Sequence, residues 1–129
     1  MLFRSVSMTV NGTTGSLTVA PAALLSVVVA NNGPANVWDY VMVAPVGAPA
    51  NYWSGVYQFL NGTTTLPSSV IRNATISVPA PSTPGTYEVR FNAAGQFGRL
   101  ATSGVITVAA APDPGPSASM TVKSPSAVV

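Results

Sequence analysis

The acidic residues are the first place to look for chemistry in this sequence, because the chain has neither histidine nor cysteine. Its acidic side chains are Asp39, Glu88 and Asp113. Without imidazole or thiol, the commonest general base, nucleophile partner and metal ligand are missing. A retaining glycosidase needs two carboxyls about 5 Å apart in a cleft, and nothing around Asp39 and Glu88 predicts a cleft. We therefore predict that the protein is not an enzyme.

A metal or cofactor site is not predicted either. Calcium takes six to eight oxygen ligands and usually several carboxylates, whereas the three acids of this chain are far apart in sequence. Asp39 lies inside an otherwise apolar run, and a buried acid is costly unless it is paired. We predict that Asp39 forms a structural ion pair with Arg90 or, alternatively, with Arg99.

The one segment that predicts a ligand platform is Asn51-Tyr52-Trp53, which follows a Pro- and Gly-rich stretch at 45–49. Flat aromatic rings beside amide side chains suit sugars, which offer apolar CH faces for stacking and hydroxyls for hydrogen bonds. The competing interpretation, which we favour, is structural. In that interpretation Trp53 folds back to cap the open end of a β-sandwich.

Charge and hydropathy exclude two classes of partner. Only 6% of the residues are charged, and the five cations are scattered along the chain. Nucleic-acid affinity comes mostly from grouped cations that neutralise phosphates, so no nucleic-acid partner is predicted. No apolar run approaches the ~20 residues that span a bilayer, so no membrane insertion is predicted.

The elements that position these residues are strands. Apolar and polar residues alternate in short segments bounded by Gly, Pro and Asn, a pattern typical of β-strands, and no segment has a helical period. Seven or eight strands are predicted: 6–10, 24–30, 37–44, 55–60, 70–78, 86–91 and 99–108, with a short continuation at 17–19. This spacing predicts an all-β, immunoglobulin-like Greek-key sandwich.

Two aromatic residues are predicted to be structural. Tyr87 follows a Pro-Gly turn and opens an alternating strand, which is the position of the tyrosine corner in Greek-key sandwiches. Its hydroxyl is expected to bond backbone upstream. Trp38 on the predicted third strand is expected to be a core tryptophan.

The domain organisation follows from an internal repeat. Ser5–Val10 is echoed by Ser117–Val122, about one sandwich domain and a linker later. The segment between them, 110–116, is rich in proline and reads as a semi-rigid linker. We predict a leader at 1–4 that is non-native or linker sequence, an immunoglobulin-like domain at 5–109, the linker, and the start of a truncated second repeat at 117–129.

Four blocks of the sequence follow an order that resembles a known family: Trp38-Asp39-Tyr40-Val41, Tyr57-Gln58-Phe59-Leu60-Asn61-Gly62, Pro84-Gly85-Thr86-Tyr87-Glu88-Val89-Arg90-Phe91 and Arg99-Leu100-Ala101-Thr102-Ser103. They resemble the immunoglobulin-like modules of bacterial secreted and surface proteins, which are distantly similar to SKICH-type domains. The resemblance covers roughly residues 5–108. It implies an immunoglobulin-like fold, an extracellular or cell-surface location, and an accessory role beside other domains.

Three functional hypotheses follow. The first is a non-catalytic spacer module that positions neighbouring domains of the same chain or contacts another protein. The second is a carbohydrate-binding accessory module that uses Asn51, Tyr52 and Trp53. The third is a viral structural or decoration domain, since a surface with few charges suits packed assemblies.

Overall fold

The computed structural model describes residues 6–94 and 98–110, and this part of the chain is all-β, with nine strands and no helix. The predicted leader at 1–4, all of the linker beyond Ala110, and the predicted repeat at 117–129 lie outside the described residues. The strands are β1 (Val6–Val10), β2 (Leu17–Val19), β3 (Leu24–Asn31), β4 (Tyr40–Pro45), β5 (Tyr57–Phe59), β6 (Asn73–Pro79), β7 (Gly85–Ala93), β8 (Gly98–Thr102) and β9 (Ile106–Val108).

The strands form two open sheets, an architecture consistent with a β-sandwich. One sheet has three antiparallel strands in the order β1-β3-β6. The other has six strands, with the path β2-β9-β7-β4-β5 and β8 paired to β7. Along one edge of β7, β9 pairs with Gly85–Tyr87 and β8 with Arg90–Ala93, while the opposite edge pairs with β4. Strand β7 is therefore the centre of the larger sheet.

The hydrophobic core lies between the two sheets. Every second residue of β3 and β6 is buried, and these side chains join those from β4, β7 and β9 in one cluster. The twofold alternation of side chains along a strand explains this arrangement, because it places every second residue of a strand on the same face. Phe91 and Leu25 are among its largest fully buried members.

Strand β4 was predicted to be central and well covered, and this prediction is confirmed. Its first five residues are all buried, and it lies between β7 and β5. Val41 and Val43 belong to the core between the sheets, whereas Tyr40 and Met42 belong to a second cluster on the outer face. Both faces of β4 are therefore apolar, as the uninterrupted apolar run indicates.

Three strand predictions need correction. The strand predicted at 70–78 begins at Asn73. The predicted strand at 37–44 begins only at Tyr40, because residues 36–39 form a turn. In this turn, side chains accept hydrogen bonds from the backbone: Trp38 N–H donates to Asn36 Oδ1, and Asn36 N–H donates to Asp39 Oδ2. The predicted strand at 99–108 is two strands. It breaks at Ser103, whose hydroxyl oxygen accepts the Val89 N–H at 2.9 Å, and the described residues therefore contain nine strands instead of seven or eight.

The prediction for Tyr87 is confirmed and that for Trp38 is wrong. The Tyr87 hydroxyl donates to the Thr83 carbonyl at 2.8 Å, an upstream backbone bond across the turn that precedes β7. Trp38 lies in the turn before β4 and is 50% exposed, so it is not a core residue. The turn carries its side chain to the outer face of the larger sheet, away from the core between the sheets.

Candidate ligand-binding site

Five aromatic side chains surround a cavity of about 150 Å³ on the outer face of the six-stranded sheet. We call this cavity the aromatic hollow. It is lined by Trp38 from the turn before β4, Tyr40 from β4, Trp53 from the segment between β4 and β5, and Tyr57 and Phe59 from β5.

Strand register brings three of these rings together. Tyr40 pairs with Phe59 and Met42 pairs with Tyr57, so the outer faces of β4 and β5 meet. Tyr57 and Phe59 are two residues apart on one strand and therefore share that face. Their ring centroids are 5.5 Å apart, and those of Tyr40 and Tyr57 are 6.2 Å apart, both with edge-to-face geometry. Such pairs contribute about 0.5–1.5 kcal/mol beyond their burial.

Two tryptophans flank these rings and expose half of their surface. Trp38 meets Phe59 edge to face with centroids 6.0 Å apart. Trp53 lies 5.0 Å from Tyr57 at an interplanar angle of 39°. Each tryptophan is 50% exposed, whereas Tyr40 is 3% and Phe59 is 6% exposed. The hollow therefore has a buried aromatic floor and two solvent-accessible indole walls.

Polar groups border the hollow on the β7 and β8 side. Asn92 is fully buried and donates from Nδ2 to the Tyr40 hydroxyl at 3.1 Å, while its Oδ1 accepts from Arg99 Nε at 3.2 Å. Burial lowers the pKa of Arg99, and repulsion by Arg90 adds to this, while Glu88 and Tyr40 oppose it. An arginine remains protonated at neutral pH, so a cation lies beside the aromatic floor.

A buried arginine holds the segment that carries Trp53. Arg90 is 2% exposed and donates to the carbonyls of Ala48 and Pro49 at 2.6 and 2.8 Å. Its Nε donates to Glu88 Oε2 at 2.8 Å, so its charge is paired. Since residues 46–56 connect β4 to β5, these bonds position the segment over the outer face of the sheet.

The predicted ion pair of Asp39 with Arg90 or Arg99 is wrong. Asp39 is 2% exposed, and its carboxylate accepts the backbone N–H of Asn36 at 2.9 Å and of Ala94 at 2.6 Å. Two backbone donors satisfy both carboxylate oxygens, so burial needs no cation. Both arginines lie instead near Glu88, with Arg99 Nη1 3.8 Å from its carboxylate.

The three residues of the predicted platform do not share one surface. Trp53 lies in the aromatic hollow, and Asn51 is exposed. Tyr52 is partly buried and lines a different cavity, of about 340 Å³, together with residues such as Val43 and Tyr87. Tyr52 packs against the same outer-face cluster as Tyr57, but it is not among the residues that line the aromatic hollow.

Of the residues that join Trp53, Tyr57 and Phe59 continue the predicted platform segment along the sequence, whereas Trp38 and Tyr40 were not predicted as ligand-binding residues. Trp38 was expected in the core, and Tyr40 was not singled out. The alternation of Tyr57 and Phe59 was the one available signal for a shared aromatic face. Their pairing with β4 depends on register, which the sequence pattern does not reveal.

Neither a metal centre nor a membrane span is found in the described residues. Within 6–94 and 98–110, no three or more acidic, histidine or cysteine side chains are grouped closely enough to hold a metal ion. The same part of the chain contains no helix that is long and apolar enough to cross a membrane.

Comparison with known proteins gives no match to a family model and no significant similarity to a curated protein. Function must therefore be inferred from the geometry of the chain itself.

Proposed function

We propose that this protein is a non-catalytic, immunoglobulin-like spacer module of a longer bacterial surface or secreted protein, in which it sets the separation of neighbouring domains. The observation that carries this proposal is the placement of the first and last described strands. The chain enters the two-sheet structure at one end and leaves it at the other.

The strand registers show this placement. Strand β3 runs from Leu24, which is opposite Pro79, to Asn31, which is opposite Val6. A five-residue connection links the end of β6 at Pro79 to Gly85, and Gly85 pairs with Val108. Val108 therefore lies at the Leu24 end and Val6 at the Asn31 end. A module with this arrangement adds length when it is repeated in tandem.

The strand order supports the immunoglobulin-like part of the proposal. The order β1-β3-β6 matches strands A, B and E of that fold, and β9-β7-β4 matches strands G, F and C. The Tyr87–Thr83 hydrogen bond at the start of β7 lies where the tyrosine corner lies at the start of strand F. The resemblance of the Pro84–Phe91 and Arg99–Ser103 blocks to bacterial surface modules supports the location.

Small-angle scattering of tandem copies tests the spacer proposal. One, two and three copies of residues 5–109, joined through 110–116, are compared by maximum dimension. Strand β7 has nine residues and is about 30 Å long at ~3.3 Å per residue. An extended proline-rich linker of this length adds about 20 Å. We expect the maximum dimension to rise by about 50 Å per copy. A compact particle whose dimension grows only with the cube root of copy number would contradict the proposal.

A further inference from the structure

A spacer role leaves the aromatic hollow unexplained. Holding neighbouring domains apart does not require two half-exposed tryptophans beside one cavity. Tryptophan contributes more contact area than any other side chain, and exposed aromatic groups in well-formed concavities are typical of binding sites. The segment that carries Trp53 is also held by two hydrogen bonds from the buried Arg90 side chain, so the wall of the hollow is positioned before any ligand arrives.

The chemistry of the hollow favours an uncharged ligand with flat apolar faces. All five lining residues are aromatic and none is charged. A sugar ring presents axial CH groups that pack on an indole face, and its equatorial hydroxyls extend sideways to polar neighbours. On one side Arg99, whose side chain is 29% exposed, is such a neighbour, and the buried Asn92 links it by hydrogen bonds to Tyr40. An anionic polymer, in contrast, requires grouped cations, and Arg99 is the cation among these three residues.

The size of the hollow favours a sugar over a proline-rich peptide, which is the other common ligand of aromatic surfaces. A polyproline II segment repeats about every 9 Å, since three residues rise ~3.1 Å each, and it docks along a groove with successive slots. The hollow has a volume of about 150 Å³, below the ~300–1,000 Å³ of pockets that enclose a small molecule. It therefore accommodates one ring-sized group and leaves the rest of the ligand in solvent.

We propose that the aromatic hollow binds a neutral glycan by stacking one sugar ring on Trp53 and Trp38, above the buried floor formed by Tyr40 and Phe59. The proposal goes beyond the spacer role and does not depend on it. It also revises the predicted platform, because Trp53 acts with Trp38 and Tyr57 instead of with Asn51 and Tyr52.

Titration of the whole chain with defined oligosaccharides tests the proposal. The probes are β-1,4-linked glucose, xylose, mannose and N-acetylglucosamine oligomers and α-1,4-linked glucose oligomers. An oligogalacturonate and a proline-rich peptide serve as the acidic and peptide comparisons. Tryptophan fluorescence and calorimetry report binding. We expect at least one neutral probe to bind with a micromolar to millimolar dissociation constant and to change tryptophan emission, with little dependence on salt.

Substitutions locate the binding site. We expect Trp53→Ala and Trp38→Ala each to weaken binding about tenfold or more, because each removes a stacking surface. Trp53→Phe retains a ring and should recover most of the affinity. Leu24→Ala is the matched control, since Leu24 is 69% exposed and lies on the three-stranded sheet, and it should bind like the wild type. Urea unfolding of each variant establishes that the fold is kept.

Three results would overturn the glycan proposal. The first is no binding of any neutral probe up to about 10 mM. The second is binding that Trp53→Ala and Trp38→Ala leave unchanged. The third is tryptophan-dependent binding of the proline-rich peptide or the oligogalacturonate in preference to every neutral sugar. The spacer proposal is judged separately, because the dimensions of the tandem copies should be the same with and without the tryptophan substitutions.

Discussion

Arg90 provides the sharpest test of how this structure is held together. Its guanidinium is buried on the outer face of the six-stranded sheet, where it bonds Glu88 and the carbonyls of Ala48 and Pro49. Replacement by methionine keeps most of the aliphatic volume and removes all three hydrogen bonds. The Glu88 carboxylate and the two carbonyls, which belong to a half-buried and an exposed residue, then lose their donor.

The expected loss of stability follows from these contacts. Hydrogen bonds to a charged group contribute about 1.5–3 kcal/mol each, but they are not additive within one side chain. Removal of one partner from a buried ion pair costs about 3–5 kcal/mol. The Glu88 side chain is 16% exposed and has Arg99 nearby, so the free-energy cost of leaving its carboxylate without Arg90 is limited. We expect Arg90→Met to lower the free energy of unfolding by about 3–5 kcal/mol, or Tm by roughly 12–20 °C.

Urea unfolding followed by tryptophan fluorescence measures this loss and also reports on Trp53. Two further variants make the result interpretable if Arg90→Met fails to fold. Arg90→Lys keeps the charge but not the planar fork that reaches two carbonyls, and should lose about half as much. Glu88→Gln keeps an acceptor for Arg90 Nε but leaves the buried guanidinium without its counter-charge, and should cost about 1–3 kcal/mol.

A small loss of stability in Arg90→Met would contradict this role of Arg90. If Arg90→Met unfolds within about 1 kcal/mol of the wild type, the two bonds to Ala48 and Pro49 do not hold the segment 46–56 in place. Equal losses for Arg90→Met and Arg90→Lys with unchanged tryptophan emission would also contradict it, since the emission of Trp53 should change when its segment is released.

Substitutions in three other parts of the fold are also measured by urea unfolding. Gly104→Ala should destabilise the fold by about 1–3 kcal/mol, because an added Cβ would lie 2.4 Å from the backbone of Gly15. Gly15→Ala is the matched control and should be near neutral, because its added Cβ would lie 3.6 Å from Thr13 Oγ1. Equal losses of stability for the two variants would contradict the close approach of Gly104 to Gly15. Tyr87→Phe should cost about 1 kcal/mol through loss of the bond to Thr83, and no measurable change would show that this bond does not contribute to stability. Asp39→Ala should cost about 3 kcal/mol, because it leaves the backbone N–H groups of Asn36 and Ala94 without their acceptor. Asp39→Asn should cost less, since it keeps one acceptor oxygen. A larger loss for Asp39→Asn than for Asp39→Ala would contradict the assignment of these two hydrogen bonds.

The candidate site shows how far sequence reasoning reaches. The Pro- and Gly-rich stretch at 45–49 indicated a loop that presents Trp53, but the interpretation we favoured, in which Trp53 caps the open end of the sandwich, is wrong, because Trp53 is half exposed on the outer face of the six-stranded sheet. The partners of Trp53 could not be predicted, because they come from a turn and two strands whose contacts depend on register. Trp38 in particular was assigned to the core, since nothing in the pattern at 37–44 shows that the strand begins only at Tyr40.

The partner of Asp39 was mispredicted for a related reason. The sequence offers Arg90 and Arg99 as cations, but a buried carboxylate is satisfied equally well by backbone N–H groups. The donors at Asn36 and Ala94 are brought to Asp39 by the turn before β4 and the end of β7. Every residue except proline carries a backbone donor, so no residue type in the sequence indicates which of these donors will be near Asp39.

The sequence by itself determined the all-β class, the approximate positions of most strands, the covered position of β4, and the hydrogen bond of Tyr87. These properties are local, because twofold alternation and turn residues act over a few positions along the chain. Only the tertiary structure decided that β2 joins the sheet of β9, that Ser103 divides the last predicted strand, and that five aromatic rings meet in one hollow. These properties depend on contacts between segments far apart in the chain, and such contacts exist only once the strands of both sheets have paired in register.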